Sequence, residues 1–509
     1  MTETMNQLMR SAVDRFGPSV ALSDDTTSLT YDGLWSQALR CAQRLATDGI
    51  GRGDRIAVLA ADEPAAMTTY LGAWLRGATV VHVNARLAVP EVSYILQDSQ
   101  AHAIVASQAH LQAARDAAHP TSVSLLGSLP ELVDTDPAAA DTLTEIDAAD
   151  LAIIGYTSGT SGRPKGAMAT HRSVARASRL QNSSMSIPRR SRLAYTGSVS
   201  FIGSFWGQVF PHLYGGGSVH FLGHYTIDSW FEAMQRHRST YTYVASPMMV
   251  PFAEQMARSP QILDHLEIAI HTGSAAPRAQ VEAVVDVMRG QYAEIYGSTE
   301  IVGTVSSTRP RMYQAGCEAD DLLASVGTAV PSAKMWIERP DGSVADPGEE
   351  GVIVAQSDTL FSGYWNKPDE TAAVLRADGS FVTGDIGAID RAGFLYYRGR
   401  HSELINTGGM NVYPAEVERV VLGHPGVLAA AVFGMPHERW GESVTAAVVL
   451  RPDATVTAGE IIETCRRELA GYKKPTTVHF VDELPTNAAR KVDKLRLRQL
   501  FLGRTPTDS

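Results

Sequence analysis

Cysteine is scarce in this sequence: only Cys41, Cys317 and Cys465 occur in 509 residues, and they are widely spaced. That spacing supplies no disulfide framework and no cysteine-based metal pattern, and it fits a reducing compartment. An excess of positive charge is also missing. The formal net charge is -11, which argues against a general nucleic-acid binder, because such a protein shows a basic stripe. A local basic pocket for a nucleotide stays compatible with that charge. No uninterrupted apolar run reaches membrane-spanning length. The opening Met1-Thr-Glu-Thr-Met-Asn lacks the basic-then-apolar order of a signal peptide. No short-period repeat is present. The expectation is a soluble, cytoplasmic protein, monomer or homodimer, with no nucleic-acid or membrane partner.

What is present points to a multidomain α/β protein. The length exceeds one ordinary domain, and 44% apolar residues are enough for sizeable cores. Leu8, Met9, Ala12, Val13 and Phe16 recur at helical spacing, which predicts an amphipathic helix. Residues 34–45 and 65–76 read as helices, and 55–60 and 78–83 as buried strands. This alternation predicts βα units and mainly parallel sheets, and a similar rhythm recurs near residues 218–222 and 242–245. Residues 134–150, rich in Ala and Asp, read as an exposed connection. After about residue 320 short β-like runs separated by turns predict a β-rich subdomain. From about Glu403 the pattern is helix 414–422, strand 427–433, strand 444–450, helix 458–469 and strand 477–481, a compact α+β unit. Residues 398–402 read as the joint.

The segment Tyr156-Thr-Ser-Gly-Thr-Ser-Gly-Arg-Pro-Lys-Gly166 follows the apolar run 151–154. Glycines let backbone N–H groups converge on an anion, hydroxyls donate further bonds, and Lys165 adds charge. A phosphate loop between a strand and a helix over 173–181 is expected. Pro164 before the lysine and Gly166 after it do not fit the Walker pattern. The plainer alternative is a Ser/Gly linker.

Further chemistry is carried by Glu294-Ile-Tyr-Gly-Ser-Thr-Glu300. Tyr296 can stack on a base, Thr299 can bond a phosphate, and Glu300 can hold Mg²⁺ together with that phosphate. The alternative is a strand ending in a polar turn. Asp385, in Thr383-Gly-Asp385, can accept from two adjacent hydroxyls as a ribose ligand, or it is a turn aspartate. Arg400 is a ribose or phosphate contact, or a surface arginine. Thr407-Gly-Gly-Met-Asn-Val-Tyr-Pro-Ala-Glu416 is a glycine-bearing loop entering a helix, with Pro414 in the first turn and Glu416 near its positive end. Lys491 lies in a polar loop, where a solvated lysine is the alternative reading.

Taken in order, these segments resemble the adenylate-forming superfamily of acyl- and aryl-CoA synthetases, luciferases and peptide-synthetase adenylation domains. The agreement extends through Ser325-Val-Gly-Thr-Ala-Val-Pro331, Gly363-Tyr-Trp-Asn-Lys-Pro368 and Gly471-Tyr-Lys-Lys-Pro475, nearly the whole chain. The resemblance implies an α/β fold: a large N-terminal domain of α/β sheets with a β-rich subdomain over residues 1–399, a hinge at 400–402, and a small mobile α+β C-terminal domain over 403–509. It also implies an acid joined to ATP, with pyrophosphate released, followed by displacement of AMP by a second nucleophile. Pre-organised cations would stabilise the charge that develops.

By the same resemblance Thr157, Ser158, Gly159, Thr160 and Lys165 handle the β- and γ-phosphates. Tyr296 with Gly297 lies beside adenine, and Gly273, Ser274 and Ala275 border adenine and the substrate pocket, to which Ser298 also belongs. Thr299 and Glu300 take phosphate and magnesium, Asp385 and Arg400 the ribose, and Lys491 the acid and the α-phosphate. Gly408 and Gly409 line a channel for the coenzyme A arm. ATP, Mg²⁺, coenzyme A and a small-molecule acid are therefore the implied ligands.

Four places depart from the family pattern. Arg490 replaces a glycine before the lysine, and Ser402 stands at a hinge often occupied by Asp or Lys. The segment that often carries a gating histidine has Ser200 or Phe201 at that place, and Glu318-Ala-Asp-Asp321 is an acidic loop without an assigned role. The leading expectation is an ATP-dependent ligase for a small aromatic or medium-sized acid, with coenzyme A as acceptor. The alternatives are a diazotase that activates nitrite for an aromatic amine, transfer to a carrier-protein arm, and a catalytically silent nucleotide-binding protein.

Overall fold

The computed structural model describes residues 3–133, 144–157, 164–197, 199, 202–274, 276–314, 317–408, 410–487 and 491–502. Its strands form four sheets among these residues. In the first, Ser124–Ser128, Ala103–Ala106, Arg55–Leu59, Thr79–Val83 and Leu151–Thr157 run parallel, and Lys165–Thr170 closes the edge antiparallel. The inner strands are mostly apolar because both of their faces are covered: every residue of Thr79–Val83 is buried, including the polar Thr79 and His82.

The second sheet is the largest. Its parallel centre contains Tyr292–Tyr296, Ile268–Thr272, Tyr241–Val244, Arg192–Tyr195, Ser218–Phe221 and Val20–Ser23, in that order. One core is shared by the first two sheets and the helices between them, with Ile56 and Val80 from one and Tyr195 and Ile270 from the other. Trp74 fills its middle. The indole is fully buried and donates to the Ala152 carbonyl at 2.9 Å, so its polar edge is satisfied where no water reaches. The expected N-terminal helix is Met5–Phe16, held by a Thr4–Gln7 capping box, and it lays Leu8, Met9, Ala12 and Val13 into that core.

The β-rich region is a four-stranded antiparallel sheet of Ala333–Glu338, Gly351–Ser357, Phe381–Ile389 and Leu395–Arg400. Beyond it lies a separate C-terminal domain with its own core of Ile405, Val417, Val421, Val432, Val444, Ile461 and Cys465. Helices Pro414–Leu422 and Ala458–Glu468 pack on a sheet built around Val427–His437 and Gly441–Leu450. Pro at the first turn of one helix, and the Thr457–Glu460 capping box of the other, explain where each begins.

Local expectations are corrected at two places. Lys165 opens a strand, paired with Thr157 across Leu151–Thr157, before the helix expected over 173–181, which spans His171–Ser184. In the glycine-bearing segment expected as a loop entering a helix, Ile405–Thr407 and Met410–Val412 pair as antiparallel strands before that helix. The unassigned acidic stretch is structural: Asp321 pairs with Arg278 at 3.2 Å, and the Asp321 N–H donates to the Tyr396 hydroxyl at 3.0 Å.

Candidate active site

Tyr241–Val244, Ile268–Thr272 and Tyr292–Tyr296 are parallel neighbours, so their C-terminal ends open on one edge of the sheet. Open α/β sheets bind ligands at such edges. Past these ends stand Ser246, then Gly273 and Ser274, then Gly297, Ser298, Thr299 and Glu300. Gly273 adopts φ +97 and is exposed, with open space where a Cβ would be. At Gly297 a Cβ would lie 1.9 Å from the Gly303 carbonyl oxygen, so the close approach that requires this glycine is to the chain itself. The Ser298 hydroxyl accepts from the Ile301 N–H at 3.3 Å, and the Thr299 carbonyl from the Val302 N–H at 3.1 Å. Val302 sits at φ +52, a region a β-branched residue rarely occupies, so the turn that presents Glu300 is strained.

The ribose candidates meet as neighbours on a ladder. Asp385 pairs in register with Arg400, and the Arg400 Nε lies 3.2 Å from Asp385 Oδ1. The Tyr296 hydroxyl donates to Asp385 Oδ2 at 2.7 Å. Tyr296 is itself buried, so its hydroxyl pins the carboxylate and its ring packs near Tyr397, 6.0 Å between centroids. Burial raises the Asp385 carboxyl above the usual carboxylate range, against the lowering pull of Arg400 and then of Tyr296. Asp385 Oδ1 is buried, and although it is ion-paired with Arg400 it has no partner of hydrogen-bond geometry among the described residues, which leaves acceptor capacity for a hydroxyl.

A second chain of contacts joins Lys165 to Glu300. The Lys165 ammonium is 2.6 Å from Glu370 and 5.2 Å from the centroid of the Tyr364 ring. The Tyr364 hydroxyl donates to Glu300 Oε1 at 2.9 Å. Burial first, and then the Glu300 charge, push the Tyr364 phenol well up, so it stays a donor. The Glu300 carbonyl also accepts from the Phe361 N–H at 2.8 Å. Tyr364 and Glu370 were not among the expected site residues. Their signal was the 363–368 motif, which carries the ring, with the carboxylate just beyond it.

Lys491 reaches this cluster from the C-terminal domain. It lies within electrostatic range of Arg400, Asp385, Glu403 and Glu300. The residue is open to solvent. Desolvation, and then repulsion from Arg400, lower it from the ordinary lysine value of 10.5. Its loop is held by the Lys491 N–H donating to Asn487 Oδ1 at 3.1 Å.

Gly408 adopts φ +60, and a Cβ there would lie 2.7 Å from the Trp440 ring. Ser158, Gly159, Thr160, Ser200, Phe201, Ala275, Gly409 and Arg490 lie outside the described residues. Thr157 is described, as the last residue of its strand. The described residues contain no group of three or more metal-ligating side chains. Magnesium accepts one or two carboxylates completed by phosphate oxygens, and Glu300 fits that arrangement. No helix among the described residues is long and apolar enough to cross a membrane.

The model of the AMP-binding enzyme family matches residues 9–365, and that of the AMP-binding enzyme C-terminal domain matches residues 416–491. The chain is 32% identical over 487 residues to a feruloyl-CoA synthase from Amycolatopsis sp, covering 95% of this chain and 96% of that one. It is 32% identical over 490 residues to the long-chain-fatty-acid–CoA ligase FadD13 of Mycobacterium tuberculosis, covering 94% of each. Its structure resembles o-succinylbenzoate CoA synthetase from Bacillus subtilis in complex with an acyl-adenylate intermediate, with TM-score 0.88, 25% identity and 99% of both chains covered. The chain thus belongs to the AMP-binding enzyme family, as an acyl- or aryl-CoA-synthetase-like ligase.

Proposed function

We propose that this enzyme adenylates a small aromatic or medium-sized carboxylic acid and passes the acyl group to coenzyme A, releasing pyrophosphate and AMP. The observation that carries this reading is the pair of contacts Tyr296–Asp385–Arg400 and Tyr364–Glu300, with Lys491 of the C-terminal domain within electrostatic range of Arg400, Asp385 and Glu300. The Asp385 carboxylate, pinned by Tyr296 and Arg400, would accept the ribose hydroxyls. Glu300, oriented by Tyr364, would hold Mg²⁺ with phosphate oxygens, and the cation would neutralise charge on the triphosphate. Lys165 would bring a second positive charge to the outer phosphates, and Thr157 and Thr299 would add hydroxyls. Lys491 would hold the acid carboxylate and α-phosphate together and stabilise the charge that develops between them.

The acid class rests on the feruloyl- and succinylbenzoate-specific relatives, and the thiol acceptor on the CoA ligases among them. Residues 1–399, 400–402 and 403–509 form the proposed large domain, hinge and small domain, and Gly408 and Gly409 the thiol channel. Replacing Lys491 tests the reading. Lys491→Ala is expected to lower acid-dependent ATP–pyrophosphate exchange by about 10²-fold or more while leaving the melting temperature unchanged. Undiminished exchange would remove Lys491 from the reaction.

A further inference from the structure

A hydrogen-bonded chain runs from the buried core to the same sheet edge, and of its members only Ser274, expected beside adenine and the substrate pocket, has a role above. Ser274 Oγ lies 2.6 Å from Ser246 Oγ, and Ser246 Oγ lies 2.7 Å from His271 Nε2. His271 Nδ1 bonds Glu294, whose other oxygen accepts from the Tyr292 hydroxyl. The backbone explains the alignment. His271 is in register with Val244 on one side and Glu294 on the other, so the imidazole and carboxylate share one face of adjacent strands. Ser246 and Ser274 each follow the C-terminal end of their own strand.

Donor and acceptor roles follow from the far end. An ionised carboxylate only accepts, so the imidazole carries its proton on Nδ1 and leaves Nε2 to accept from the Ser246 hydroxyl. The Ser274 hydroxyl is then free to donate to Ser246 and to accept from a ligand. His271 is fully buried and Glu294 nearly so, whereas Ser274 is exposed. Placing an ionisable pair in a core costs free energy and does not recommend itself for stability alone. The titratable groups facing His271 are Glu294 directly and, behind it, Tyr292 and Tyr313, whose rings lie 5.6 Å apart.

The order Ser–His–Glu has the form of a nucleophile with its base. The residue after Ser246, however, is Pro247, which has no N–H to offer an oxyanion at that position. The arrangement is built to move a proton rather than to be acylated.

We propose that Ser274, Ser246 and His271 relay the proton of the incoming coenzyme A thiol in the second half-reaction. This rests on the ligase reading above. The thiol sulfur bonds to the acyl carbon as its proton passes to Ser274 Oγ. The Ser274 proton passes to Ser246 Oγ, and the Ser246 proton to His271 Nε2. The bond between the acyl carbon and the phosphate oxygen breaks, and AMP leaves with its electron pair. His271 ends as an imidazolium beside the Glu294 carboxylate and returns its proton to water along the same hydroxyls. Ser246, His271 and Glu294 act through Ser274 and are positioning residues in this scheme.

The test separates the two half-reactions in the full-length protein. Adenylate is formed from Mg-ATP with ferulate, indoleacetate, 2-succinylbenzoate or palmitate, each first assayed for pyrophosphate exchange. Coenzyme A is then added, and thioester formation is followed in a single turnover across a range of pH. His271→Gln and Ser246→Ala are expected to slow thioester formation by about 10²-fold relative to adenylation. Their residual rate is expected to climb about ten-fold per pH unit with the free thiolate, while the unaltered enzyme shows a flatter profile. Should His271→Gln fail to fold, Ser246→Ala, which leaves the buried pair intact, carries the test. A transfer rate and pH profile in Ser246→Ala equal to those of the unaltered enzyme would overturn the relay, as would covalent labelling of Ser246 by a fluorophosphonate. No exchange with any acid would defeat the ligase reading, and the relay with it.

Discussion

Asp385 and Arg400 stand opposite each other on adjacent antiparallel strands, and Arg400 Nε lies 3.2 Å from Asp385 Oδ1. Lys491 feels the same guanidinium from the other domain. One cation thus shifts two titrating groups in the same direction by opposite forces, lowering the carboxyl that it attracts and the ammonium that it repels.

Removing that cation gives a prediction with a fixed sign. Without Arg400, the Asp385 carboxyl rises further above the usual range, because burial is then opposed less. The Lys491 ammonium also rises, toward its ordinary 10.5, because a repelling charge is gone. Arg400→Gln is therefore expected to move both limbs of the pH profile of adenylation to higher pH. A profile of ATP–pyrophosphate exchange checks it, and limbs that stay in place would show that these groups do not control the reaction.

Tyr364 supplies a second prediction. Its hydroxyl donates to Glu300 at 2.9 Å, and a bond to a charged group is worth about 1.5–3 kcal/mol. Tyr364→Phe is expected to raise the Mg²⁺ concentration for half-maximal adenylation about ten-fold, with a smaller change in acid affinity. Titrating Mg²⁺ at fixed ATP measures it. An unchanged Mg²⁺ requirement would mean that this hydroxyl does not orient Glu300 for metal.

Buried histidines set the acid limit of stability. Burial lowers His212 from 6.5 to about 3, and His171 and His220 to about 4. In His171 the neighbouring Asp150 opposes this fall. His220 is further lowered by His237 and Arg236 and raised by Asp25 and Asp24. His212 is faced by the Ser191 hydroxyl and the Tyr241 ring. Below 6.5 the unfolded chain binds protons that the folded chain excludes. Their contribution is fully present above 6.5 and is lost as pH falls through the folded values. Denaturant unfolding at several acidic pH values is expected to show a steep slope, reduced by about one proton in His212→Gln.

Much of the architecture is written locally. The helix at 414–422 coincides with Pro414–Leu422, and the apolar runs at 55–60 and 78–83 are strands of a parallel sheet. Periodicity and a proline at the first turn suffice there, because the deciding contacts lie within a few residues. The strand Lys165–Thr170 was missed because its lysine, glycine and alanines carry weak strand propensity, and pairing with Leu151–Thr157 overrides it. The partners within the site were illegible for a related reason. Tyr296 meets Asp385 across 89 residues, and Tyr364 meets Glu300 across 64. His271 and Glu294 read as an ordinary pair of strand residues until their strands are placed side by side. The motifs name the groups, and only the sheet register shows which of them touch.

The central claim is that one active site joins an acid, ATP and a thiol. Its most direct test is the stoichiometry of products from the purified enzyme with Mg-ATP, coenzyme A and a panel of aromatic and aliphatic acids, with nitrite and aromatic amines in parallel. The account predicts AMP, pyrophosphate and a CoA thioester formed in equal amounts with at least one acid. AMP formation that requires nitrite and is indifferent to coenzyme A, or no AMP with any acid, would contradict it.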